Sequence, residues 1–229
     1  RGEEEMTGIF RLIRVPDFAS ILNAALGFGS ILASAEGRYA LSMALILLAM
    51  AADGLDGFLA RRLGDGPLGT PIDSLADVIS FGAAPAFLAV AAFGPAFGLP
   101  GVFYLACGIL RLARFNISPR EETFQGMPIT GAGGMVAATV LLGVPGLSAL
   151  LLFSLSLLMV SAVPYPKFRD PRLIPPVVAA GAIAAAGWCL GDLRISAGVV
   201  FLALAAYLAS PVVMELCRQR GKRPPSRRG

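Results

Sequence analysis

Four aspartates stand in a pattern that can do chemistry. Asp53 and Asp56 are three residues apart, and Asp73 and Asp77 are four apart. On helices, each pair shares one face. Between the pairs lie Gly64, Gly66, Pro67 and Gly69, which suit a tight hairpin. Antiparallel packing then sets the end of one helix beside the start of the next and brings all four carboxylates to one level. Carboxylates gathered in this way repel one another unless cations lie among them, and Arg61 and Arg62 alone do not neutralise four. Hard divalent cations held by carboxylate oxygens do. Magnesium commonly bridges from such carboxylates to substrate phosphates, so a phosphate-bearing substrate is the expectation. Gly54, Gly57 and Gly69 let a bulky ligand approach the backbone.

The elements that must position these residues are set by an unusual composition. The chain has 229 residues, of which 56% are hydrophobic and only 15% charged. A soluble domain carries about 25% charged residues. Mean hydropathy is +0.73, and stretches such as Tyr39–Ala52 and Val144–Pro164 hold no charge. Disordered chains, coiled coils and ordinary soluble enzymes are excluded, which leaves an integral membrane protein. No ten-residue alternation suggests a barrel, so the reading is all-α, a polytopic helical bundle. Eight apolar segments are expected, near Phe18–Ala35, Tyr39–Leu63, Ile72–Phe93, Leu99–Phe115, Pro128–Leu142, Gly146–Val163, Leu173–Leu190 and Ile195–Leu216. Residues 1–217 form a single membrane domain in this reading, and 218–229 a basic cytosolic tail. Arg1–Met6 shows no cleavable-signal pattern.

Charge placement orients the bundle. On this segmentation, 17 of the 19 basic residues fall on one side; only Arg38 and Arg194 fall on the other. The rule that cytoplasmic loops are rich in Lys and Arg then places both termini in the cytoplasm. The basic excess serves orientation and anionic lipid, and no nucleic acid is expected. Asp53 lies 14 residues after Tyr39, about 21 Å of helix rise. The acidic cluster therefore sits toward the cytoplasmic face. The sequence has no histidine, which removes histidine ligands and Ser-His-Asp chemistry. Cys107, Cys189 and Cys217 have no zinc or disulfide spacing and read as small buried thiols.

The bland alternative for the aspartates is a set of interfacial acids facing water; the paired helical spacing argues against it. Another is a cation or proton pathway, against which stands the lack of acids at mid-membrane in the other spans.

The string Asp53-Gly54-Leu55-Asp56-Gly57-Phe58-Leu59-Ala60-Arg61, followed by Gly69, Asp73 and Asp77, fits D-x2-D-G-x2-A-R…G-x3-D-x3-D at every fixed position over 25 residues. This resembles the CDP-alcohol phosphotransferase family. The segments Asp73–Gly82 with Ala84-Pro85-Ala86, Cys107–Asn116, Phe124–Pro128, and Met159–Ser161 with Tyr165-Pro166-Lys167 look like its phosphatidylserine synthase branch, or the archaeal counterpart acting on ether lipids. The first span begins Pro16-Asp17-Phe18, where such enzymes often have Pro-Asn; Asn23 lies further along it.

The resemblance implies transfer of a phosphatidyl or archaetidyl group from CDP-diacylglycerol or CDP-archaeol to the hydroxyl of L-serine, with release of CMP. It implies that Asp53, Asp56 and Asp73 hold the metal gripping the pyrophosphate. Asp77 then completes a two-metal site for Mg2+ or Mn2+ and acts as the base toward serine. Gly57, Ala60, Arg61 and Gly69 are nucleotide- and phosphate-binding candidates. Arg111 and Arg114, i and i+3, are candidates for the serine carboxylate, together with Lys167; Arg120, Arg169 and Arg172 read as anchors. Asn116 and Ser80 are candidate polar supports. Gly131-Ala132-Gly133-Gly134 permits close helix approach, or else an acyl groove. A homodimer is implied as well. Glycerol 3-phosphate or inositol phosphate as acceptor remains the alternative within the reaction, and a cation transporter the alternative outside it.

Overall fold

The computed structural model describes residues 8, 12–64, 66–117, 124–165, 191 and 193–221, with side chains up to Pro211 in the last stretch. Its described elements are α1 (Val15–Ala35), α2 (Tyr39–Leu63), α3 (Gly69–Asp77), a π-helical segment (Val78–Ala83), α4 (Ala84–Phe93), a 3₁₀ turn (Pro95–Phe97) and α5 (Gly98–Ile117). Strand β1 (Phe124–Gln125), α6 (Ile129–Leu142), α7 (Pro145–Val160), strand β2 (Pro164–Tyr165) and α8 (Leu193–Gly221) follow.

Seven of the eight expected apolar segments are helices here; the seventh, Leu173–Leu190, lies outside the described residues. Five helical runs are long and apolar enough to cross a membrane: Val15–Ala35, Tyr39–Leu63, Gly69–Phe93, Pro95–Ile117 and Arg194–Pro211. The other two, α6 with 14 residues and α7 with 16, are shorter. At 14 residues α6 rises only about 21 Å, less than a hydrocarbon core of roughly 30 Å. It tolerates this because Ile129 and Gly131–Val140 are all buried: protein surrounds it, not lipid. Helix α8 continues past Arg218 and Arg220 to Gly221, further than the sequence suggested. Residues 222–229 of the basic tail are outside the described set.

The outer surface is what a bilayer solvates. Phe18, Leu22, Leu32, Leu48, Leu110, Leu150, Phe153 and Leu202 are all more than half exposed. In water such a shell is a liability; in lipid it is the expected outer face.

Helix boundaries follow local chemistry. Pro16 opens α1, and Asp17 Oδ2 accepts the Arg14 backbone N–H at 2.7 Å, as in a capping box. Helix α2 ends at Gly64, whose φ of +85° only glycine adopts readily. Arg14 packs over that turn, with its Cγ and Cδ 3.2 Å from where a Cβ on Gly66 would lie. The start of α1 and the end of α2, with Arg61 and Arg62, therefore share one end of the bundle. At the far end of the α1–α2 pair, Ser30, Ser34 and Ser42 are buried and hydrogen-bonded together at 2.8 Å, polar glue between helices in an apolar medium.

The run from Gly69 to Phe93 is continuous but not regular. Just after Asp77 it widens into the π segment, where the Ala84 N–H reaches the Ile79 carbonyl five residues back. Pro85 has no N–H to offer the Phe81 carbonyl four residues before it. Tyr104 Oη, fully buried on α5, donates to that carbonyl at 2.9 Å. Two glycines let neighbours close on this segment. A Cβ on Gly27 of α1 would lie 2.3 Å from Ser80 Oγ, and one on Gly133 of α6 would lie 2.9 Å from the Phe81 carbonyl oxygen. The glycine-rich start of α6 thus serves close packing, one of its two expected roles.

Candidate active site

The α2–α3 hairpin gathers the acids as their spacing requires. Asp53, Asp56 and Asp73 each offer a carboxylate oxygen, and these three atoms lie within 4.8 Å of one another. Asp56 is buried; Asp53 and Asp73 are half-buried. Asp77 is buried and is not part of that close trio, although it interacts electrostatically with Asp53 and Asp73. The structure therefore separates the four aspartates into three that converge and one set beside them.

Neutral donors from other helices hold the carboxylates. Ser20 Oγ on α1 donates to Asp56 Oδ2 at 2.5 Å. Asn23 Nδ2, one turn further, donates to Asp77 Oδ1 at 3.2 Å. Thr130 Oγ1 on α6 donates to Asp53 Oδ2 at 3.2 Å. These donors orient the carboxylates without cancelling their charge. Ser74 Oγ donates to Asn116 Oδ1 at 2.9 Å, tying α3 to α5 next to Asp73. Ser80 Oγ donates to the Asn23 carbonyl at 2.7 Å. Asn116 and Ser80 therefore bond to neighbours of the acids, not to the carboxylates themselves.

Among the described residues, a buried cation lies in this region. Arg111 on α5 is only 7% exposed and interacts with Asp77, Asp53 and Tyr207. Arg114, the other arginine of this helix face, is engaged by backbone carbonyls. Its guanidinium donates to the carbonyls of Gln125 (2.7 Å), Ser161 (3.0 Å), Met159 (3.1 Å) and Val160 (3.1 Å). This fork closes the end of α7 onto β1, where Phe124 pairs with Tyr165. Arginine suits the task because its planar donors meet several acceptors at once. Lys167, Arg120, Arg169 and Arg172 lie outside the described residues.

The face of α2 beside the acids is open. A Cβ on Gly54 meets nothing within 4 Å, and one on Gly57 meets only Arg61 Nη1, at 3.3 Å. Ala60 is half-buried, Arg61 exposed and Gly69 buried at the start of α3. Arg62 instead lies over the Phe58 ring, 4.7 Å from its centroid. Cys107 is a buried free thiol, as expected.

Three close carboxylates with hard oxygen donors fit a hard divalent cation. An open, glycine-lined helix face beside them has room for a phosphate-bearing ligand.

Residues 13–165 match the CDP-alcohol phosphatidyltransferase family. The chain belongs to that family. Among its relatives is the archaetidylserine synthase of Methanothermobacter thermautotrophicus, 39% identical over 168 residues that cover 69% of this chain and 72% of the relative. The CDP-diacylglycerol–serine O-phosphatidyltransferase of Methanocaldococcus jannaschii is 36% identical over 172 residues, 74% of this chain and 82% of that one. The enzyme of the same name from Helicobacter pylori is 34% identical over 174 residues, 69% and 73% of the two chains. The aspartates of this CDP-alcohol phosphatidyltransferase family member and its α1–α7 bundle fall within the matched region. Arg194–Pro211 of α8 lies beyond it.

Ser20 and Thr130 were not singled out from the sequence. Ser20 and Asn23 are polar residues three apart in an apolar span, followed by Gly27. That pattern marks a polar stripe on one helix face and is the signal that points to them.

Proposed function

We propose that this membrane enzyme transfers the phosphatidyl or archaetidyl group of a CDP-linked lipid to the hydroxyl of L-serine, releasing CMP, in phospholipid synthesis. The observation that carries the reading is the convergence of Asp53, Asp56 and Asp73 within 4.8 Å with Asp77 beside them. The relatives named for serine transfer support the choice of acceptor.

Asp53, Asp56 and Asp73 would hold a Mg2+ or Mn2+ ion, and Asp77 would complete a second site. Bound metal would supply charge neutralisation to the pyrophosphate and to the departing CMP oxygen. The rest falls to side chains. Asp77 takes the proton from the serine hydroxyl as that oxygen attacks the β-phosphorus. One P–O bond forms to serine, the bond to CMP breaks, and CMP keeps the electron pair. Gly57, Ala60 and Gly69 leave room for the nucleotide, and Arg61 contacts its phosphates. Arg111 receives the serine carboxylate in a bidentate pair; Arg114 and Lys167 are the further candidates.

The 17-to-2 split of basic residues supports eight spans, cytoplasmic termini and a site at the cytoplasmic face. Lipid then enters sideways from the bilayer while serine and CMP exchange with the cytosol. The working unit is a homodimer, as the family resemblance implies.

The test supplies purified protein with CDP-diacylglycerol or CDP-archaeol and Mn2+ or Mg2+. Serine, glycerol 3-phosphate and inositol phosphate are offered separately, and the lipid product is identified. Serine alone should give product; equal transfer to a phosphorylated acceptor defeats the assignment.

A further inference from the structure

Asn23 is fully buried in α1, and two of its groups are tied to the turn that carries Asp77. Its Nδ2 donates to Asp77 Oδ1 at 3.2 Å, and its backbone carbonyl accepts Ser80 Oγ at 2.7 Å. One turn further along α1, Gly27 leaves no room for even a methyl group against Ser80. Helix α1 is thus locked to the first turn of the π segment. This segment begins at Val78, directly after Asp77. Asp77 is set apart from the close trio at the same point.

The remaining polar atom of Asn23 shows what the residue is for. Its Oδ1 is buried with no hydrogen-bond partner. A buried acceptor without a donor weakens a fold, and an apolar side chain of similar size avoids that cost. The amide is therefore a poor choice for packing. Its Nδ2, by contrast, fixes one oxygen of Asp77 with a neutral donor, which leaves the carboxylate its full charge. A lysine or arginine in its place would neutralise the group it holds.

We propose that Asn23 is a positioning residue: it pins Asp77 Oδ1 so that Oδ2 is presented to the hydroxyl of the acceptor. The role rests on the reading of Asp77 as the base.

The test compares full-length wild type with Asn23→Ala, Asn23→Asp and Asn23→Ser, using CDP-diacylglycerol, serine and Mn2+. Asn23→Ala should lower kcat about 10- to 100-fold, the scale of a misplaced reacting group. Its KM for serine, KM for the lipid and half-saturating Mn2+ should each change by less than about threefold, as when an interaction acts only in the transition state. Its Tm should change little, because the loss of the orphaned oxygen offsets the donor that Asp77 Oδ1 loses. Asn23→Asp matches the shape but lacks the donor, and should lose at least as much kcat. Asn23→Ser restores a donor and should recover part of the loss. The proposal is overturned if Asn23→Ala keeps kcat within about threefold of wild type. It is also overturned if kcat and Tm fall together without recovery in Asn23→Ser, which marks a packing role. A folded wild type that releases no CMP defeats the assignment of the reaction itself, and so the two failures are distinct.

Discussion

Ser20 Oγ donates to Asp56 Oδ2 at 2.5 Å, joining residues 36 apart in sequence and fixing one carboxylate of the acidic trio from a neighbouring helix. Groups that orient metal ligands tune metal affinity, and losing one typically costs 10- to 100-fold, on the order of the effect expected here. Ser20→Ala should raise the Mn2+ concentration for half-maximal CMP release by about tenfold. Turnover at saturating Mn2+ should stay close to wild type. A metal titration of both proteins reads this directly; coincident curves would show that the hydroxyl does not matter to the site.

Tyr104 closes the carbonyl that Pro85 leaves without its helical partner. Tyr104→Phe removes that donor inside the bundle, and a buried carbonyl left unpaired costs about 1–3 kcal/mol. Thermal unfolding in detergent should show a lower Tm, with KM for serine unaltered. An unchanged Tm would mean that the π segment satisfies its own carbonyls.

Two glycines separate packing from substrate access. Gly27→Ala drives a methyl group into Ser80, and overpacking of this kind costs about 1–3 kcal/mol. Gly54→Ala meets nothing within 4 Å, so its Tm should match wild type. Its KM for the CDP-linked lipid should rise if the open face of α2 receives that substrate. Measuring Tm and lipid KM for both variants checks the pair; an unaffected lipid KM in Gly54→Ala would remove the substrate from that face.

The two arginines of α5 should part company. Arg114→Lys cannot reach four carbonyls with one ammonium, so it should lower Tm with little change in KM for serine. Arg111→Lys keeps the charge but loses the fork that matches a carboxylate. Its KM for serine should rise by about tenfold, the worth of roughly 1.4 kcal/mol. The reverse pattern would move the serine carboxylate to Arg114.

Much of this was legible in the sequence, for identifiable reasons. Spacings of three and four residues are fixed by helix geometry, so the convergence of Asp53, Asp56 and Asp73 followed once the two helices were antiparallel. Apolar segments are legible because lipid leaves the backbone no alternative. The π segment was not, because Val78–Ala83 reads as an apolar continuation of its span; its weak helix formers, Gly82 among them, and the following Pro85 mark irregularity without specifying its kind. That segment follows Asp77 directly, and the separation of Asp77 from the trio was hidden with it. The carbonyl partners of Arg114, at Gln125 and at the end of α7, were not legible, because backbone acceptors leave no trace in side-chain patterns. Ser20 and Thr130 were hidden for a related reason: a hydroxyl in an apolar span reads first as helix-packing glue.

In the proposed reaction Asp77 performs the proton transfer beside a metal-binding trio that grips the nucleotide. The most direct measurement sets Asp77→Asn against wild type in the presence of Mn2+, with CMP release on adding serine and retention of the CDP-linked lipid followed in parallel. The variant should hold the lipid nearly as well as wild type and release no CMP above background. Near-normal CMP release from Asp77→Asn would contradict the account.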